Sequence, residues 1–216
     1  MLEKMSEFFE NRLAEYDEHM LNEIEGAKEF YPFTAKCLPM NDGCNVLDLG
    51  CGTGLELEYY FSLNPNARVT GIDLSKGMLS ALECKFKDRN ITIVEGSYFD
   101  VSFGESVFDA VVSVESLHHF TKEEKIPLYN KVFSSLKEDG YFILTDYFCA
   151  TNEEELLFRQ NLMVLKNEQG ITDNEFYHYD TPLTVEHEME ALYEVGFTSV
   201  EILNNWGATY TIRAYK

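Results

Sequence analysis

An apolar run broken by glycines at alternate positions constrains this chain more than any other feature. Val46-Leu47-Asp48-Leu49 leads directly into Gly50-Cys51-Gly52-Thr53-Gly54. A short apolar run ended by glycines reads as a buried strand turning tightly into a helix. A second apolar run closes on Gly71-Ile72-Asp73-Leu74-Ser75, which reads as the next strand with an acid at its C-terminal tip. An open parallel sheet brings both tips to one crevice, where ligands bind. The pair therefore predicts an α/β fold with a nucleoside site at its strand ends.

The spacing narrows the nucleoside. Gly50 and Gly52 match the first two glycines of G-x-G-x-x-G, but Leu55 stands at the third and the glycine falls at 54. That departure disfavours a nicotinamide dinucleotide. No Gly-Lys-Ser/Thr ending follows, so a P-loop is excluded. Asp73 lies at the distance of a ribose-binding acid, roughly 20 residues on. A nucleoside with a tail crossing the glycine turn remains.

Further segments continue the pattern: Glu95-Gly96-Ser97, FDAVVSVESLHHF at 108–120, and Ala191-Leu192-Tyr193-Glu194-Val195-Gly196-Phe197. Together with VLDLGCGTG at 46–54 and GIDLS at 71–75, they resemble the class I S-adenosylmethionine-dependent methyltransferases. The resemblance covers residues 40–150 well and the C-terminal stretch moderately. It implies a doubly wound α/β fold with a mostly parallel seven-stranded sheet, order 3-2-1-4-5-7-6, strand seven antiparallel. It implies S-adenosyl-L-methionine as cofactor, S-adenosyl-L-homocysteine as product, and an N-terminal helical lid.

The resemblance also assigns roles. The turn Gly50, Cys51, Gly52, Thr53 and Gly54 brings backbone to the ligand, and the following helix N-terminus favours the methionine carboxylate. Asp48 sits near the methionine ammonium, and Asp73 accepts the ribose hydroxyls. Leu74 and Met78 flank the adenine, or are ordinary core. Ser97 and Tyr98 occupy the adenine-contacting turn, although many relatives carry an acid where Ser97 stands. Val114 and Glu115 face the sulfonium end. His118 and His119 read as structural members of the loop after strand four rather than as a base. Tyr16, His19, Tyr31, Tyr147 and His178 are further pocket candidates. No residue is assigned as catalytic, because the sulfonium is already activated and alignment supplies most of the effect. Aminopropyl transfer and a non-catalytic cofactor-binding regulator remain alternatives. The former wants paired acids after strand four, where only Glu115 stands.

The 216 residues, 45% hydrophobic, suit one domain with a substantial core. Residues 1–40 read as a helical cap and 41–150 as the cofactor-binding core. Residues 151–183 read as a helical and loop insertion, and 184–216 as a helix and strand hairpin. Met5, Phe9, Leu13, Tyr16, Met20 and Ile24 recur at helical spacing, so residues 1–30 read as one amphipathic helix, either packed on the sheet or serving as the lid. Phe176, Tyr177, His178 and Tyr179 in the loop 170–182 read as a pocket wall.

The remaining elements follow local signals. Ser75 reads as an N-cap, and Thr121 with Glu124 as a capping box opening a helix to about Lys137. Strand five begins at Tyr141, after Asp139-Gly140. Asn204-Asn205-Trp206-Gly207 reads as a hairpin link.

The five cysteines show no C-x-x-C pair, so they read as reduced thiols in a cytoplasmic protein, with no metal site. The N-terminus lacks the apolar core of a signal peptide. Against 38 acids stand 17 Lys and Arg, a formal charge of −21, which repels phosphate backbones and anionic membranes. The acceptor is therefore expected to be a small molecule, with neither nucleic acid nor membrane as partner.

Overall fold

The computed structural model of the protein describes residues 1–173 and 175–216. Asn174, inside the loop expected at 170–182, lies outside the described residues. Seven strands form one sheet in the order 3-2-1-4-5-7-6. They are β1 (Asn45–Leu49), β2 (Arg68–Asp73), β3 (Asn90–Glu95), β4 (Phe108–Val114), β5 (Leu136–Tyr147), β6 (Ser199–Trp206) and β7 (Thr209–Tyr215). β1 to β5 pair in parallel, and β7 runs antiparallel to both β5 and β6. This is the architecture that the glycine turn and the motif series imply.

Seven α-helices flank the sheet: α1 (Met5–Glu23), α2 (Ala27–Cys37), α3 (Leu55–Leu63), α4 (Lys76–Lys85), α5 (Lys122–Ser135), α6 (Asn152–Glu168) and α7 (Val185–Val195). Strand side chains alternate between faces. Leu47, Leu49, Val111, Phe142 and Leu144 pack with Leu128, Tyr129 and Val132 of α5 and Leu192 of α7. Val46, Val69, Ala110, Val112 and Ile143 pack on the other face with Phe30 of α2, Tyr60 of α3 and Leu82 of α4. Asp48 shares the second face yet is only 1% exposed, so its carboxyl enters a dry layer.

Local signals set the helix starts. The Ser75 hydroxyl accepts from Met78 N, and Thr121 with Glu124 closes the capping box. Two boundaries differ from the sequence reading. Residues 1–30 form no single helix: α1 ends at Glu23 with Ile24 as its C-cap, and Gly26, at φ 77°, N-caps α2, which has Pro32 inside it. A proline in a helix interior masks the pattern, because it removes a backbone donor. α5 ends at Ser135, and Leu136 already pairs with Phe108 across an irregular register before Asp139-Gly140. The β6–β7 turn is also tighter than expected, at Gly207-Ala208.

The two segments outside the core are tied to each other. Lys4 bridges Tyr177 in antiparallel fashion. Met5 N donates to Phe176 O at 3.0 Å, and His178 N donates to Glu3 O at 2.9 Å. Phe8 stacks on the His178 ring with centroids 3.4 Å apart. The five cysteines are free thiols. Among the described residues, no helix is long and apolar enough to cross a membrane.

Candidate functional site

The tips of β1 and β2 are laced together. Gly50 N and Cys51 N both donate to Ile72 O, at 2.9 and 3.2 Å. Asp73 accepts Gly52 N at 2.9 Å on one oxygen and Ser75 N at 2.8 Å on the other. Burial raises the Asp73 pKa above the ordinary carboxylate value, while these backbone donors oppose it. Gly50 stands at φ 72°, and a Cβ there would collide with the Ser116 side chain. The turn must therefore be glycine on both backbone and steric grounds.

A cleft runs along this turn. Gly50, Gly52, Asp73, Leu74, Met78 and Tyr98 line it, with Glu115 at one end. Its continuation is lined by Cys51, Thr53, Gly54 and Val114, joined by Tyr31 and Glu56. Asp48 lies behind the turn, beside Glu56. Burial, and then the Glu56 charge, hold the Asp48 carboxyl well above its ordinary range, and burial raises Glu56 too. Asp48 Oδ2 and Glu56 Oε1 are both buried and unpartnered. Two apposed carboxyls with an orphan oxygen each form a cradle for a cation. Asp48 lines neither part of the cleft, and Ser97 is a second exception among the expected contacts. It lines neither part of the cleft, and its hydroxyl instead accepts Phe99 N at 3.2 Å.

α1 closes this cleft. Thr53 donates to Asp17 at 2.5 Å, and Glu10 accepts Ser75 Oγ at 2.8 Å and Gly77 N at 3.0 Å. With α1 in place, the space at Asp73 and Met78 is about 40 Å³. Ligand sites typically offer roughly 300 Å³ or more.

A second cavity of about 490 Å³ opens beside the cleft and shares Phe9, Tyr16 and Glu115 with it. Phe8, Arg12, His19, His118, His119 and Asp180 also line it. Glu115 ends β4 with φ 49°, a left-handed conformation that few non-glycine residues adopt. Its Oε1 accepts Thr209 Oγ1 at 3.1 Å, and burial, against the attraction of His118, pushes its pKa up to about 7. His118 Nδ1 meets Asp146 Oδ1 at 2.5 Å, and its Nε2 lies 3.7 Å from Asp180 Oδ1. Burial lowers the His118 pKa, but the Asp146, Glu115 and Asp180 carboxylates outweigh it and bring it to about 9. His119 goes the other way, lowered by burial and by the His118 charge.

The pocket candidates divide. Tyr16, His19 and His178 line the larger cavity, and Tyr31 lines the cleft. Tyr147 lines neither, its ring lying 6.1 Å from that of His118. Of the aromatic loop, only His178 reaches the cavity, while Phe176 packs on Phe99 and Phe120. Sequence reasoning missed Arg12, Glu56, Asp146 and Asp180. An acid closing the apolar run Phe142–Asp146 was the one signal available, since it repeats the pattern of Asp73 at the end of β2.

Residues 46–140 match the family profile described as a methyltransferase domain. Over that stretch the chain is similar to the S-adenosylmethionine-dependent methyltransferase family. The cofactor of that family is S-adenosylmethionine. A cypemycin N-terminal methyltransferase from Streptomyces is 40% identical over 102 residues, covering 46% of this chain and 40% of that protein. A carboxy-S-adenosyl-L-methionine synthase from Helicobacter hepaticus is 27% identical over 184 residues, covering 79% of this chain and 75% of that one. The chain thus spans less than half the length of the first relative and three quarters of the second. Human N-acetylserotonin methyltransferase, solved in complex with S-adenosylmethionine, superposes with a TM-score of 0.64 at 17% identity, over 88% of this chain and 52% of that one. At that identity the likeness concerns the fold.

Proposed function

We propose that this protein transfers a methyl group from S-adenosylmethionine to a small molecule held in the larger cavity. The observation that carries the reading is the junction of cleft and cavity at Phe9, Tyr16 and Glu115. A cofactor lying along the glycine turn would present its reacting end to a partly open cavity of small-molecule size.

The residues present fit that cofactor. Asp48 and Glu56 offer unpartnered buried oxygens to an ammonium group. The turn 50–54 and the N-terminus of α3 suit a carboxylate. Asp73 already accepts two backbone donors, but each carboxylate oxygen keeps a further lone pair for a ribose hydroxyl. Leu74, Met78 and Tyr98 give an apolar wall for adenine. When bound, the cofactor supplies a methyl carried on sulfonium sulfur. The chain's task is then to align acceptor and methyl in line and to keep water out. α1 serves the second end as a lid, since it covers the cleft through Glu10, Tyr16 and Asp17. The acidic surface supports a small-molecule acceptor over nucleic acid.

Incubation with cofactor labelled in its methyl group, against a panel of small metabolites and against tRNA and DNA, tests the reading. Label entering a small molecule supports it. Label entering nucleic acid, or no transfer to any class, overturns it.

The carboxy-S-adenosylmethionine synthase relatives support a second reading, in which the cofactor itself gains a carboxyl group. A carboxyl donor wants cations, and the cavity offers Arg12 and a protonated His118 amid Glu15, Glu115 and Asp180. That balance favours methyl transfer. Mass analysis of the cofactor after turnover separates the two, since one reaction yields the demethylated product and the other a heavier cofactor.

A further inference from the structure

Beside the cleft, three ligand-type side chains converge on the larger cavity in a way that ordinary hydrogen bonding leaves unexplained. His118 Nε2 lies 3.7 Å and His119 Nδ1 3.1 Å from the same Asp180 oxygen. The ligand atoms of all three residues lie within 4.8 Å of one another. His119 is only 7% exposed, yet its Nδ1 makes no hydrogen bond, because Asp180 is near it but out of alignment. Two imidazole nitrogens crowded on one carboxylate oxygen, one of them without an aligned hydrogen bond, leave room for a shared cation.

The support behind them is built. Asp146 Oδ1 holds His118 Nδ1 at 2.5 Å, which turns Nε2 toward Asp180, where an incoming ion would displace the Nε2 proton. A carboxylate behind a ligating histidine is the usual outer shell of a metal site. Asp146 is itself fixed by Leu117 N at 2.8 Å and Tyr147 N at 3.0 Å. Thr181 N donates to His118 O at 2.8 Å, which ties the segment carrying Asp180 to the histidine turn Leu117–His119. Glu115 Oε2 adds a third carboxylate, 4.0 Å from His118 Nδ1. Asp180 is the carboxylate that faces both His118 Nε2 and His119 Nδ1, and so the one that would share a cation with them. The alternative grouping of Glu115, His118 and Asp146 is weaker, because the His118 nitrogen facing it is already bonded to Asp146.

We infer that His118, His119 and Asp180 bind a divalent transition-metal ion of the zinc or iron(II) class on the acceptor side of the cavity, with Asp146 as the positioning residue. Two histidines and one carboxylate with open positions suit those ions. The open positions face the cavity, so the ion would take an oxygen donor of the acceptor, a hydroxyl or carboxylate, and hold it toward Glu115. The cysteine count pointed to no metal, and it is silent on a site whose ligands are sixty-odd residues apart. This inference rests on the reading of the cavity as the acceptor site, but metal binding is measurable without turnover.

The test uses the full chain stripped with chelator. Titration with Co²⁺ should give visible ligand-field absorption that saturates at one ion per chain and is displaced by Zn²⁺. His119→Ala and Asp180→Ala should abolish the band, and Asp146→Asn should weaken binding about 10–100-fold. His119→Gln serves if His119→Ala fails to fold. Calorimetry with S-adenosylmethionine should show cofactor affinity unchanged in metal-free His119→Gln. Absence of the cobalt band, a thiolate charge-transfer band in its place, or equal Co²⁺ affinity in the variants would overturn the inference while leaving methyl transfer standing. An intact cobalt site in a protein that transfers no methyl would count against the function reading instead.

Discussion

Asp48→Asn should make the empty protein more stable and the cofactor weaker. Asp48 and Glu56 are buried together, and burial raises both carboxyl pKa values. A carboxyl whose pKa is higher in the folded than in the unfolded chain favours folding only when protonated. Its contribution is fully present below the unfolded pKa, roughly 4 for such groups, and is lost as pH rises toward the folded pKa. The loss is at most about 1.4 kcal/mol per pH unit across that window. Asparagine has the same shape and no such cost, and its amide can donate to Glu56. Allowing for relaxation and water entry, the gain at pH 7 should be about 2 kcal/mol, or about 4–8 °C in Tm for a chain of this size. The advantage should shrink as pH falls and vanish near pH 4.

Cofactor affinity should move the opposite way. A hydrogen bond to a charged group contributes about 1.5–3 kcal/mol, so binding should weaken roughly 10- to 150-fold. Differential scanning calorimetry from pH 4 to 8 reads the first effect, and isothermal titration with S-adenosylmethionine reads the second. A variant of lower Tm at pH 7 with unchanged affinity would refute the reasoning, because Asp48 would then be a satisfied core acid. A variant that is stabilised but binds equally well would place the ammonium elsewhere.

Other perturbations test neighbouring parts of the account. Asp73→Ala should lower cofactor affinity by about 2–4 kcal/mol, read by titration. It should also lower Tm, since Gly52 N and Ser75 N lose their acceptor. Gly50→Ala should destabilise by about 2–4 kcal/mol in urea unfolding, from a left-handed φ and the Ser116 clash. Glu188→Ala should cost about 3–5 kcal/mol, because it strands the buried Lys125 ammonium 2.5 Å away and also leaves Tyr129 without its acceptor. Lys125→Met with Glu188→Leu should recover most of that loss.

The fold was legible because its signals are local. The glycine turn, the Ser75 cap and the Thr121–Glu124 box each act within a few residues, and the strand order follows once the motif series is placed. The strand-tip cleft was legible for the same reason, since Asp73 and the glycine turn lie at the ends of neighbouring strands. Ser97 failed because a hydroxyl one residue before the buried Tyr98 found a nearer partner in its own backbone. One cleft residue and most of the larger cavity were hidden. Glu56 reads as one more acid on α3 beside Glu58, and nothing in the sequence says that it turns inward. His118, Asp146 and Asp180 come from a turn, a strand end and a loop, and only the sheet order brings them together.

The pairing of α1 with the segment 176–178 links the two halves of the site. α1 is fastened over the cleft by Glu10, Tyr16 and Asp17, whose side chains reach the turn 50–54 and the N-terminus of α4. Partly exposed hydrogen bonds of this kind contribute only about 1 kcal/mol each, so the strap belongs to the low-stability end of the molecule. Its N-terminal end is bonded by backbone to Phe176 and His178, two residues from Asp180. On the proposed reading, lifting α1 to admit the cofactor would therefore pull on the wall of the larger cavity. Cofactor binding and ordering of the acceptor wall then share one equilibrium and are coupled in both directions. Hydrogen exchange should show residues 5–23 and 175–181 gaining protection together on addition of S-adenosylmethionine, with matching opening free energies. Protection of α1 alone, or high protection of both segments before any ligand is added, would break the link and leave α1 a plain packed helix.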